Sequence, residues 1–224
     1  MRRIFFLLFS LAGLGVLLGL GVWQMQRLAW KQQILDTIEA RVHAEPMPLP
    51  ANPDPGRDKY TPVRLTGQIA PGELHVLTST RNLGPGYRVI APYETEDGRR
   101  ILIDRGYIRT GAKDSPRASG QATLVGNLHW PDETDGYTPT ADRVANIWYA
   151  RDVTEMALAL DTLPIMVVMN TAPVNGSAII PLPVDTASIS NDHLQYAITW
   201  FSLACIWAVM TASFLWRSRA KSES

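Results

Sequence analysis

Charged residues are missing from two stretches of this chain, Ile4 to Trp23 and Leu194 to Trp216, and both are apolar almost throughout. About 20 apolar residues cross the hydrocarbon layer of a bilayer as a helix, so each stretch predicts a transmembrane helix. Helical spacing continues past the first, with Leu28, Leu35, Ile38 and Val42 recurring on one face. It stops before Pro46 to Pro55, a linker by composition. The pattern then shortens to the period of a strand. Pro62–Ile69 alternates, with Val63, Leu65 and Ile69 opposite Arg64, Thr66 and Gln68. Leu74–Thr80, Tyr87–Glu94, Ile101–Ile108, Ala122–Trp130 and Ala145–Ala150 have strand length, and Asp97-Gly98 reads as a hairpin turn. Asp152 to Leu160 returns to helical period, with Asp152 as N-cap and Glu155 three residues on. Pro164–Thr171 holds an unbroken apolar run that predicts a buried strand.

The predicted class is an α+β membrane protein, two transmembrane helices flanking a small antiparallel β-rich domain with one short helix. The expected segments are a first span at 1–23, a membrane-proximal helix at 24–44, a β-rich domain at 45–190, a second span at 191–216 and a tail at 217–224. Arg2 and Arg3 also suit the start of a signal peptide. The apolar run is longer than the core of such a signal, and Trp23, Gln24 and Arg27 stand where a small-residue cleavage site is needed, so an uncleaved helix is expected. Gly13, Gly15, Gly19 and Gly21 give spacing that permits close helix packing.

Basic residues orient the chain. Arg217, Arg219 and Lys221 follow the second span, whereas Asn175 to His193 has no Lys or Arg. Both termini are therefore expected in the cytoplasm and the β-rich domain on the outer, periplasmic face. Arg27 and Lys31, just outside the first span, weigh against this but are outnumbered by the cleaner second flank. No transit-peptide pattern precedes Ile4, which favours a bacterial inner membrane over a mitochondrial one. The 21 basic and 21 acidic residues balance, and no basic run suggests nucleic acid. A single cysteine, Cys205, rules out an internal disulfide, a paired-cysteine copper site and a CxxCH haem attachment.

Among four histidines, His43, His75 and His129 stand apart from other ligand-type residues and read as surface or core histidines. His193 differs because it opens the second span. On a helix it shares a stripe with Tyr196, Ala197 and Trp200, descending roughly 10 Å from the interface. Tyr196 and Trp200 fit an aromatic anchoring belt. An ionisable group at the edge of a span is either solvated or holds a partner, and imidazole is a standard axial ligand of haem iron. At the same depth on the first span, Trp23, Arg27 and Trp30 are spaced for one face beside Gln24. Arg27 is either a snorkelling anchor or a guanidinium placed for a carboxylate such as a haem propionate. Gly86-Tyr87-Arg88 and Asp104-Arg105-Gly106-Tyr107 are the densest polar-aromatic clusters of the domain. No GxSxG, HExxH, phosphate loop or carboxylate pair supports an enzyme.

Four blocks carry a resemblance. Gly19 to Lys31, Pro62 to Gly67, Gly86 to Pro92 with Gly98 to Tyr107, and Asn191 to Ala204 (NDHLQYAITWFSLA) are similar to the surfeit locus protein 1 family of cytochrome oxidase assembly factors. The last block is the most specific. The family more often has Asn and Trp where this chain has Asp104 and Tyr107. The resemblance implies a non-enzymatic role, binding haem a and aiding its insertion into subunit I of a haem-copper oxidase. It implies His193 as ligand of the haem iron with Trp200 beside it. Tyr196, Arg27, Trp23 and Gln24 complete the expected site. Expected partners are subunit I, haem a synthase and the lipid bilayer. The alternative is a scaffold that stabilises an early oxidase intermediate without holding haem.

Overall fold

The computed structural model describes residues 2–171, 179–186 and 189–220. Asn175, Lys221 and the last residues of the expected tail, used above for orientation, lie outside them. The chain forms two compact units, one of residues Met1–Thr37 with Thr186–Ser224, the other of Ile38–Asp185.

The first unit is a pair of helices, α1 (Arg2–Val42, its last residues belonging to the second unit) and α4 (His193–Ala220). Both are long and apolar enough to cross a membrane. Their large apolar side chains point outward, among them Phe5, Leu8, Leu11, Val16, Ile206 and Val209. That is the reverse of a water-soluble bundle and suits a lipid surround. The helices run antiparallel: Phe6 stacks on Phe214 with ring centroids 4.5 Å apart, the Trp207 indole N–H donates to the Ser10 carbonyl at 3.0 Å, and Gln24 meets His193. Gly13 and Gly21 lie under the rings of Trp207 and Phe201, whereas Gly15 and Gly19 have open space beside them. On α4 the seam recurs at Ala197 and Ala204, 1 % and 2 % exposed, whose small side chains let the helices approach closely.

The second unit is built on β1 (Met47–Pro48), β2 (Pro62–Ile69), β3 (Leu74–Thr80), β4 (Gly84–Thr95), β5 (Arg100–Arg109), β6 (Gly120–Leu128) and β7 (Met166–Met169). Short helices α2 (Pro55–Asp58) and α3 (Val153–Leu160) complete it. Strand pairing runs β2–β6–β7–β5–β4 and returns from β4 to β2, closing a barrel, with β1 added beside β2 and β3 beside β4. The expected β-rich domain with one short helix is present. Most pairings are antiparallel; β5–β7 and β1–β2 are parallel.

Alternation explains the interior. Val63, Leu65 and Ile69 of β2, Ala91 and Tyr93 of β4, Ile101 and Ile103 of β5, Leu124 and Leu128 of β6, and Val167 and Met169 of β7 fill one cluster. Outside the barrel, Ile90, Leu102 and Met166 pack with Leu74, Val76, Val153, Met156 and Ala157. Strands β5 and β7 are thus buried on both faces, which is why 165–169 reads as an unbroken apolar run, while β2 shows its polar face to solvent. The Asp152 carboxylate accepts from the N–H groups of Thr154 and Glu155 at 3.0 Å and caps α3 as expected. Thr95 and Arg99 close the β4–β5 hairpin around Gly98, whose φ of +83° only glycine takes freely.

Ala145–Ala150 is not a strand. Asn146 takes a left-handed φ of 51° and Asp142 accepts from the Ala145 N–H, so only single bridges to β3 and to Asp142 form. At Gly67, where β2 meets β4, a Cβ would sit 2.0 Å from the Glu94 carbonyl oxygen. Gly67→Ala is therefore expected to force the closing strands apart and to cost about 3 kcal/mol. A drop in the urea midpoint of the detergent-solubilised chain checks this; an unchanged midpoint means that the closure tolerates a methyl group.

Candidate functional site

His193 opens α4, and its half-buried ring is held from α1: Nδ1 lies 2.8 Å from Oε1 of Gln24, itself 9 % exposed. A carboxamide oxygen only accepts, so with this orientation of the Gln24 amide the matching neutral tautomer of His193 is the one with hydrogen on Nδ1 and the lone pair on Nε2. Around this contact the helix ends are tied further. Lys31 Nζ donates to the Ser190 carbonyl, the Ser190 hydroxyl to the Asp192 carboxylate, and the Tyr196 N–H to the Asp192 carbonyl at 3.2 Å.

The remaining expected residues fall on one flank of the helix pair. At about 100° per residue, Trp23, Arg27 and Trp30 lie roughly 60–120° to one side of Gln24 on α1. Tyr196 lies roughly 60° from His193 on α4, and because the helices are antiparallel this is the same side. Phe201, packed on Gly21, occupies the opposite side. Trp23, Arg27, Trp30 and Tyr196 are exposed and Trp200 is half-buried near the seam. The Arg27 guanidinium stacks 4.6 Å above the Trp30 ring and, among the described residues, makes no ion pair. A lone-pair nitrogen, flat aromatic walls and an unpaired guanidinium on one flank fit a flat metal macrocycle that bears carboxylates.

In the barrel unit, a buried polar cluster gathers around Asp104. Asp104, wholly buried, accepts from Arg88 Nε at 2.7 Å, Arg151 Nη1 at 3.2 Å and the Gly106 N–H at 3.1 Å. Arg88 also donates to the Leu182 carbonyl at 2.8 Å, and Tyr107 exchanges two backbone hydrogen bonds with Ile180. The Asp104-Arg105-Gly106-Tyr107 cluster thus fastens the segment that leads on toward α4. Arg151 reaches Glu133 at 2.5 Å. Burial works against the Glu133 charge, but the hydrogen bonds and charge of Arg151 outweigh it and hold this carboxyl below its ordinary range. Arg151 and Glu133 lie far from Asp104 in the chain, and no local pattern announces them.

Of the other histidines two have local polar partners, and the buried Nδ1 of His129 has none among the described residues. His43 meets Glu39 at 3.0 Å on an exposed turn, and His75, 5 % exposed, lies 2.9 Å from Glu73 and Arg117. Burial, then the charges of Arg151 and Lys59, push His129 down to about 4. Among the described residues no three His, Cys, Asp or Glu side chains gather at metal-binding distance.

The SURF1 family model matches residues 11–205. Surfeit locus protein 1 of Rattus norvegicus is 31 % identical over 223 residues, covering 88 % of this chain and 70 % of its own. The Homo sapiens protein of that name is 29 % identical over 223 residues, covering 88 % and 72 %. A SURF1-like protein of Rickettsia felis is 29 % identical over 199 residues, covering 84 % and 87 %.

His129 gives the barrel an acid limit. Its folded pKa of about 4 lies below the ordinary 6.5, so between these values the unfolded chain binds a proton that the folded chain refuses. The stability it contributes is present above pH 6.5 and is lost as pH falls toward 4. Glu133 and Glu73, both depressed, lose theirs only below about 4.5. A loss on the order of 2 kcal/mol is expected between pH 6.5 and 4.5. In urea titrations His129→Gln should flatten that slope; an unaltered slope assigns it elsewhere.

Proposed function

The chain belongs to the SURF1 family, and on that premise we propose that it binds haem a at the outer end of its helix pair and aids insertion of haem a into subunit I of a haem-copper terminal oxidase. Membership implies a role in cytochrome c oxidase assembly. The observation that carries the finer reading is the 2.8 Å contact between His193 Nδ1 and Gln24, which leaves Nε2 free to donate to a metal. When bound, haem a would supply an iron that accepts an imidazole nitrogen and propionates that accept a guanidinium.

In this reading His193 ligates through Nε2, and Arg27, exposed and without an acidic partner among the described residues, pairs with a propionate. Trp23, Tyr196 and Trp200 would wall the ring, and the apolar tail would be left to the lipid. The chain sits in a bacterial inner membrane with both termini in the cytoplasm and the barrel in the periplasm, a topology supported by Arg217 after the second span. Subunit I receives the haem, haem a synthase supplies it, and the bilayer surrounds the helices.

Co-expression with haem a synthesis, followed by absorbance of the purified full chain, tests this. The wild type should be coloured, and His193→Ala should lose haem at least about tenfold, since even groups that only orient a ligand are worth that much. A wild type that is colourless yet co-purifies with subunit I overturns haem binding in favour of a scaffold. Haem retained by His193→Ala overturns the ligand assignment.

A further inference from the structure

Gln24 faces α4 at the seam, is 9 % exposed, and spends its carboxamide oxygen on His193. Its depth and direction differ from those of Trp23 and Arg27, which are exposed on the flank. We infer that Gln24 is not a contact of the cofactor but a positioning residue: it fixes the His193 ring and tautomer so that Nε2 is the ligating nitrogen, and its neutral amide keeps that ligand releasable. This rests on the haem-binding reading above.

The first half follows from the acceptor. A neutral imidazole carries one hydrogen on either ring nitrogen, and only the tautomer with hydrogen on Nδ1 offers Nε2 to iron. An acceptor 2.8 Å from Nδ1 selects that form and stops the ring from turning over. Without it the competent form is only a fraction of the population, and apparent affinity falls by that fraction.

The second half follows from charge. Ligand histidines commonly donate their other N–H to a carboxylate, which raises the basicity of the ring and strengthens its bond to the metal. Here the acceptor is a carboxamide with no net charge. Among the described residues no acid takes its place: Asp192, the neighbouring carboxylate, accepts from Ser190. Lys31 is turned to the Ser190 carbonyl, so no cation of α1 lies on the ring nitrogen either. A ligand held in place but not made more basic suits a protein that must give its cofactor up.

The test uses the full chain loaded by co-expression with haem a synthesis, with three variants. Haem loss to excess apomyoglobin gives the release rate, and redox titration gives the Fe(III)/Fe(II) midpoint. Gln24→Leu should release haem about 10–100-fold faster. Gln24→Glu should release it more slowly than wild type and move the midpoint to more negative potential, a shift that mere loosening of the helices does not produce. Trp207→Phe, which removes the hydrogen bond to Ser10 elsewhere on the seam, should leave the midpoint unchanged. Gln24 variants that bind haem with wild-type rate and potential overturn the positioning role while leaving haem binding intact. A wild type without haem overturns both.

Discussion

The register between α1 and α4 is the constraint on which the candidate site depends. Two apolar helices in lipid gain little by hiding apolar surface from one another, so close packing and a few hydrogen bonds must set how they align. Trp207 on Gly13 and on the Ser10 carbonyl, Phe201 on Gly21 and Phe6 on Phe214 mark successive levels of the seam. The Gln24–His193 contact marks its outer end. A slip of one helical turn, about 5.4 Å, would bring Leu20 or Leu28 opposite the imidazole. Gln24 would then be buried with its amide unpaired, at a cost of about 1–3 kcal/mol. The polar pair that holds the imidazole is therefore also the pair that penalises the wrong alignment.

The barrel unit solves a different problem, closure of a short sheet around a filled interior. Its closing point needs Gly67 because backbone meets backbone there. Its central strands β5 and β7 are buried on both faces because α3 and β3 cover the outer side. Into that setting the fold admits one buried carboxylate, Asp104, and surrounds it with two guanidinium groups and a backbone N–H. A buried ionic group of this kind is tolerated only when its partners are complete. Here the partners come from β4, from the segment before α3 and from the Leu182 region. The cluster therefore ties together parts of the chain that secondary structure leaves separate.

What the sequence determined by itself is whatever local chemistry dictates. Twenty-odd uncharged residues must leave water, so the two long helices were legible. Alternation at Pro62–Ile69, the Asp97-Gly98 turn and the Asp152 cap are short-range effects and appear as read. His193 stood out because an ionisable side chain at the edge of an apolar run is costly to leave without purpose. Tertiary structure decided the rest. Ala145–Ala150 has the composition of a strand, but a left-handed Asn146 and the Asp142 cap divert it. Barrel closure through β2–β4, the parallel β5–β7 pair and the Arg88–Asp104–Arg151 cluster join residues far apart in the chain, and no local pattern encodes them. The partner of His193 is of this kind: Gln24 is one polar residue among several along a long helix, and only antiparallel pairing at one register sets its amide against the imidazole.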